Sequence, residues 1–128
     1  MKNNCLLRND NNIIRILDQQ PDKKLIIDCI KQTMPKWVKT ENISSFLPCT
    51  EQELLSITNK NIKSMESFDA ESRKFIHAHF SLIAGILPFI ADNTKRNQMI
   101  ENISEEMHVS KQTIRHYLCL YLIYQDFV

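Results

Sequence analysis

The hydrophobic periodicity of this chain changes character between its first thirty residues and its second half. The first thirty positions carry short apolar runs rich in β-branched residues, separated by turn signals, which is typical of strands. In the second half, apolar residues recur at helical spacing. A single glycine argues against collagen-like chains and glycine-rich phosphate loops. We therefore predict an α+β fold: a small N-terminal β-meander followed by a C-terminal helical domain.

Two turn signals, at residues 9–12 and 20–23, divide the N-terminal part into strands. The strand candidates cover residues 5–8, 13–18 and 25–30. In the last of them Leu25, Ile27 and Cys29 share one side of the strand, which predicts a sheet with one apolar face. So small a sheet is marginal alone and must pack on something else.

The middle of the chain carries weaker signals. Pro35 is tolerated in a first helical turn and predicts a short helix over residues 35–38. Thr50 and Glu53 form a capping-box pattern that starts a helix through Ile57. The following polar stretch predicts three parts: residues 1–58 with the meander and connecting helices, a linker at 59–68, and a helical domain at 69–128.

The helical domain is predicted to contain three helices. Asp69 caps the first, which Gly85 and Pro88 kink or end. Its apolar positions are Phe75, Ile76, Phe80, Ile83, Ile86 and Leu87. Asn93 or Thr94 caps the second helix, and Ser110 caps a third that runs to about Tyr124. The second helix is expected to bury Met99, Ile100, Ile103 and Met107.

Residues 100–119 fit a helix-turn-helix motif. Ser104 is small where the two helices would cross, and Val109 is the apolar residue that seals the corner. Ser110 can cap the second helix, with Ile114 and Leu118 facing the core. His108 occupies the turn position often held by glycine, so we expect it to adopt a positive φ at some steric cost.

The exposed start of that second helix is the candidate DNA-reading element, because the N-terminal end of such a helix enters the major groove. The predicted binding residues are Ser110, Lys111, Gln112, Thr113, Arg115, His116, Lys95 and Arg96. We expect Arg115, Gln112 and Thr113 to contact base edges. Lys111, Lys95 and Arg96 are expected to contact phosphates. The predicted partner is double-stranded DNA.

The charge of the helical half is balanced, with six basic and six acidic side chains over residues 70–128. Few counterions would be released on binding, so we expect this domain alone to bind DNA weakly and in a salt-sensitive way. Tight binding would need a second module or a partner.

Residues 117–124 are uncharged and apolar around the whole predicted helix. Two interpretations follow: a deeply buried closing helix, or a helix covered by downstream sequence or by a second copy. An alternative function is therefore a protein-interaction module that uses this helix.

No residue pattern indicates catalysis, a metal or a cofactor. The cysteines at 5, 29, 49 and 119 contain no C-x-x-C pair, and His77 and His79 point in different directions on a helix. We also find no nucleophile–base arrangement. Neither an export signal nor a membrane-length apolar run is present, which predicts a non-enzymatic cytoplasmic protein with reduced, mostly buried thiols and no membrane partner.

The order of these segments resembles the N-terminal region of TnsB-type transposases, DDE recombinases of the superfamily that includes Mu transposase and retroviral integrase. The likeness is carried by three stretches: residues 13–18 with 24–30 and 34–38, residues 96–118 with the run Val109 to Ile114, and residues 117–122.

The resemblance implies sequence-specific binding to repeats at transposon ends. In that family the catalytic carboxylates lie in a later RNase H-like domain, and nothing here matches them. The chain would then be an N-terminal fragment or a truncated copy that binds without cutting. Its partners would include the rest of the transposase, other transposition proteins or a second copy. A small transcriptional repressor is the alternative within DNA binding.

Overall fold

The structure, a computed structural model, describes residues 5–58, 80–81 and 83–124. The chain divides into two compact units, residues 1–62 and 63–128, and the division falls within the predicted linker at 59–68. That linker lies outside the described residues, as do Asp69, Phe75, Ile76, His77 and His79. A five-stranded antiparallel sheet precedes helices, so the predicted α+β class is confirmed.

The strands of the N-terminal unit are β1 (Leu6–Asn9), β2 (Asn12–Gln20), β3 (Lys23–Asp28), β4 (Lys36–Lys39) and β5 (Leu47–Cys49). They lie in the order β4-β3-β2-β1-β5, with every neighbouring pair antiparallel. The first two turns fall where the sequence places them. Asp10 takes the left-handed conformation in the first turn, with φ of 58°, which aspartate tolerates better than most residues.

Two strands differ from the sequence prediction. Residues 36–39 form β4 and pair with Lys23–Ile26, so the predicted short helix at 35–38 is wrong. Pro35 stands just before this strand, where its missing N–H removes no ladder hydrogen bond. β5 was not predicted, and it contains Pro48, which is tolerated because β5 is an edge strand.

Both faces of the central strands β2 and β3 carry buried residues, which corrects the expectation of a single apolar face. On β3, Leu25, Ile26 and Ile27 are all buried although neighbours point to opposite sides. One face carries a buried cluster of Ile14, Ile16, Ile26 and Ile43. Ile43 comes from a 3-10 helix, Thr40–Ile43, in the connection between the two edge strands, so this connection covers that face.

The other face is tied to helix α1 (Glu51–Thr58). Thr50 accepts a hydrogen bond from the Glu53 N–H at 3.1 Å, as the capping pattern predicted. The guanidinium of Arg15, only 1% exposed, donates two hydrogen bonds to the Glu51 carboxylate, at 2.9 and 2.8 Å. Leu54 of the same helix is also buried, and the Arg15–Glu51 ion pair joins the start of α1 to β2.

In the C-terminal unit, residues 83–86 are helical and lead into a 3-10 helix, Leu87–Phe89. Helix α2 (Asn93–Met107) and helix α3 (Lys111–Tyr124) follow. The cap of α2 is Asp92, not Asn93 or Thr94, because its carboxylate accepts the Lys95 N–H at 3.1 Å. α2 buries Ile100 fully, whereas Met107 is 52% exposed, contrary to prediction.

Helix α3 is covered unevenly. Its buried positions are Ile114, Leu118, Cys119, Leu122 and Ile123. Tyr117, Leu120, Tyr121 and Tyr124 are half-buried. The Phe80 ring lies 5.4 Å from the Tyr121 ring and covers part of this second face. The sequence, apolar all round, therefore forms a helix with one deeply buried side and one partly covered side.

All four cysteines carry thiols rather than disulfides. Cys29 and Cys119 are buried, Cys49 is half-buried and Cys5 is exposed. Burial raises the pKa of the Cys29 thiol to about 12 and that of Cys119 to about 11. The thiolate is the reactive form. Both buried thiols are therefore protected from reaction, because reagents reach them poorly and because few of them are ionised at neutral pH.

We expect alkylation of the native chain at neutral pH to modify Cys5 well before Cys29 and Cys119. Mass spectrometry of peptides after timed exposure to iodoacetamide measures this order. The same experiment in denaturant is the control, because all four thiols should then react alike. Early modification of Cys29 in the native chain would contradict the burial described here.

Candidate nucleic-acid interface

The turn between α2 and α3 is held by His108 in the left-handed conformation, with φ of 57° and ψ of 40°. Its N–H and that of Val109 both donate to the Ser104 carbonyl, the second at 3.3 Å. This is the hydrogen-bond pattern with which helices often end, usually with glycine at the left-handed residue. The positive φ predicted for His108 is confirmed, and Ser104 and Val109 are both half-buried at the corner.

We expect His108→Val to lower the free energy of unfolding by about 1–2 kcal/mol, because a β-branched side chain is strained at positive φ. His108→Gly should leave stability close to that of the native chain, since relief of strain offsets the greater freedom of glycine when unfolded. Urea denaturation of the two variants measures the difference. Equal stability of the valine and glycine variants would contradict the strained turn.

Ser110 caps α3 as predicted. Its hydroxyl oxygen accepts the Thr113 N–H at 3.0 Å, and its O–H donates to the Thr113 hydroxyl at 2.8 Å. Thr113 was predicted to contact a base edge; it is half-buried, and its hydroxyl accepts a hydrogen bond from Ser110. The structure thus places Ser110 and Thr113 as residues that position the first turn of α3.

Four exposed side chains form a stripe on the first two turns of α3: Lys111, Gln112, Arg115 and His116. Lys111 and Arg115 are four residues apart, as are Gln112 and His116, so all four share one side of the helix. No acidic residue occurs between Ser110 and Tyr124, and the partial positive charge of a helix N-terminus adds to the two cations. We call these four residues the α3 stripe.

The two basic residues at the start of α2 differ from each other. Lys95 is exposed, and its ammonium lies 5.5 Å from the centroid of the Phe89 ring. Arg96 is only 4% exposed and donates to the Ile90 carbonyl at 2.7 Å and to the Asn93 side chain. Burial lowers the pKa of its guanidinium.

The Arg96 side chain is therefore not available to contact a phosphate, and the prediction of such a contact is wrong. Its two donor contacts tie α2 to the turn that precedes it. Helical spacing places Arg96 four residues before Ile100, on the buried side of the helix. That spacing was the signal in the sequence that Arg96 faces inward.

The described residues supply little other chemistry. Among them, no group of three or more His, Cys, Asp and Glu side chains could hold a metal ion. Within the same ranges, no helix has the length and apolar character needed to cross a bilayer.

Comparison of the chain with known protein families, with characterised proteins and with solved structures finds no match.

Proposed function

We propose that this protein binds double-stranded DNA in a sequence-specific way through α2, the His108 turn and α3. The observation that carries the proposal is the α3 stripe, an exposed and acid-free set of donors at the start of a capped helix that follows a tight turn. In helix-turn-helix proteins this end of the second helix enters the major groove.

The residues of the stripe suit different contacts. Arg115 can donate two parallel hydrogen bonds to a guanine edge. The Gln112 side-chain amide can both donate a hydrogen bond to an adenine edge and accept one from it. Lys111 and Lys95 suit phosphate oxygens, which position the protein without reading sequence. Thr113 and Ser110 position the first turn of α3. His116, next to Arg115 in the chain, adds one more exposed polar side chain to the stripe.

A more specific proposal is recognition of transposon ends by the non-catalytic N-terminal part of a transposase. It rests on the likeness of residues 13–18, 24–30, 34–38 and 96–122 to TnsB-type proteins. The remainder of a transposase, other transposition proteins or a second copy would then be its partners, in the cytoplasm. A small transcriptional repressor is the competing proposal, and a self-sufficient dimer in solution would favour it.

Selection of binding sites from a random duplex pool at low salt tests the proposal directly. Enrichment of one short motif is the expected result, and the symmetry of that motif shows whether one copy or two bind. Equal retention of all duplexes would contradict base reading while leaving phosphate contact. No retention even at the lowest salt would overturn DNA binding and favour a module that docks a partner protein through α3.

A further inference from the structure

Four lysines lie on two neighbouring strands of the N-terminal sheet: Lys23 and Lys24 on β3, and Lys36 and Lys39 on β4. None of them forms an ion pair within the described part of the chain, where the two ion pairs are Arg15–Glu51 and Arg8–Glu53. The arginines of this unit are thus neutralised, while its strand lysines are not. We call these four residues the lysine edge.

The strand register brings two of these charges face to face. Lys23 is directly opposite Lys39, so the two ammonium groups lie on the same face of the sheet. Like charges directly opposite each other destabilise a sheet. The Lys23 ammonium lies 5.0 Å from the centroid of the Trp37 ring, a cation–π distance that offsets part of the cost.

The other two lysines point to the opposite face. Lys24 is opposite Val38, and Lys36 is opposite Ile26. The Lys24 ammonium donates to the Gln19 side chain at 3.1 Å, which leaves its charge uncompensated. The lysine edge therefore presents positive charge on both sides of the β3–β4 rim.

Protection of a sheet edge explains only half of this arrangement. Lysines on an edge strand discourage pairing with another chain, and β4 is an edge strand. β3 is paired on both sides, so Lys23 and Lys24 protect no edge. Asp22 and Glu41 lie beside one end of the rim, and neither is ion-paired to the lysines in the described structure. The uncompensated charge on β3 is therefore available to an anionic ligand.

We propose that the lysine edge binds the phosphate backbone of duplex DNA. The proposal rests on the proposed function and deepens it, because the balanced charge of the helical half calls for a second source of affinity. Strands rise about 3.3 Å per residue, so Lys36 and Lys39 are separated by about 10 Å along β4. Each DNA strand carries one phosphate per about 3.4 Å of helix axis, so this length of β4 spans about three phosphates, which the lysines approach from the two faces of the rim.

The test is the salt dependence of binding by the full chain to a long duplex of random sequence. We expect replacement of all four lysines by glutamine to reduce the slope of log K against log[salt] by about 2–4, since each lost phosphate contact removes about 0.9 and two of the lysines lie on each face of the sheet. The motif obtained by site selection should not change. Lys31→Gln, which removes an exposed lysine from the turn after β3, is the control and should leave the slope unaltered.

Thermal unfolding shows whether the four-lysine variant is folded. If it is not, the pair Lys36→Gln/Lys39→Gln on the edge strand replaces it, with an expected slope change of about 1–2. An unchanged slope in a folded variant that still selects the same motif would overturn the lysine edge and leave the proposed function intact. Failure of the native chain to bind any duplex would overturn both.

Discussion

Replacement of Arg115 by alanine is expected to weaken binding to the selected DNA motif by about 1–3 kcal/mol and to relax sequence preference at one base pair. Arg115 is exposed on the first two turns of α3, and no acidic side chain follows it before Tyr124. A fluorescence-anisotropy titration on the selected duplex and on single-base variants measures both effects. The salt slope should fall by about 1 at most, because one cation is removed.

Arg115→Lys is the matched control. Lysine keeps the charge but cannot form the two parallel hydrogen bonds of a guanidinium. We expect it to retain most of the affinity for random duplex while losing preference at the same base pair. If Arg115→Ala and Arg115→Lys both keep the native motif and affinity, Arg115 does not read a base and α3 is docked differently or not at all.

Glu51→Gln is expected to lower the free energy of unfolding by about 2–4 kcal/mol, because it breaks a charge pair with a buried guanidinium. Arg15 is 1% exposed, and its two hydrogen bonds to Glu51 are the ion-paired contact that joins β2 to α1. The Glu51 side chain is 63% exposed, so water replaces part of the lost interaction and places the effect at the lower end. Urea denaturation followed by circular dichroism measures it.

Glu53→Gln provides the control for that measurement. Glu53 lies in the same helical turn and pairs with Arg8 at 3.5 Å, but both side chains are substantially exposed. An exposed pair of this kind contributes about 0–1 kcal/mol. Losses of equal size in the two variants would mean that burial of Arg15 does not set the strength of its pair with Glu51.

Helix ends that are capped by nearby side chains could be predicted from the sequence to within one residue. Thr50 and Ser110 accept hydrogen bonds from N–H groups three residues later, and His108 adopts the strained turn expected of its position. Caps and turns depend on neighbours within a few residues, so a linear pattern contains the information they need. Asp92 shows the limit, since the adjacent Asn93 is an equally good capping residue type.

The exposure pattern of α3 was predictable for the same reason. Ile114 and Leu118 are buried while Lys111, Gln112, Arg115 and His116 are exposed, as helical periodicity indicates. Arg96 was predicted to be exposed because arginine is usually a surface residue. It is buried because it lies on the inward side of α2, where two hydrogen-bond acceptors near the helix start face its guanidinium. A buried polar side chain needs hydrogen-bond partners, and the Ile90 carbonyl and the Asn93 side chain supply two of them here.

The α+β class, the first strands and the capped helices around the turn could be predicted from sequence, because each depends on hydrophobic periodicity or on near neighbours in the chain. Only the tertiary structure decided that residues 36–39 form a strand, that β5 returns to pair with β1, and that β3 is buried on both faces. It also decided the pairing of Arg15 with Glu51 and of Lys23 opposite Lys39. These pairings join residues 10 to 43 positions apart, and strand partners and ion pairs over that separation are chosen by packing of the whole sheet.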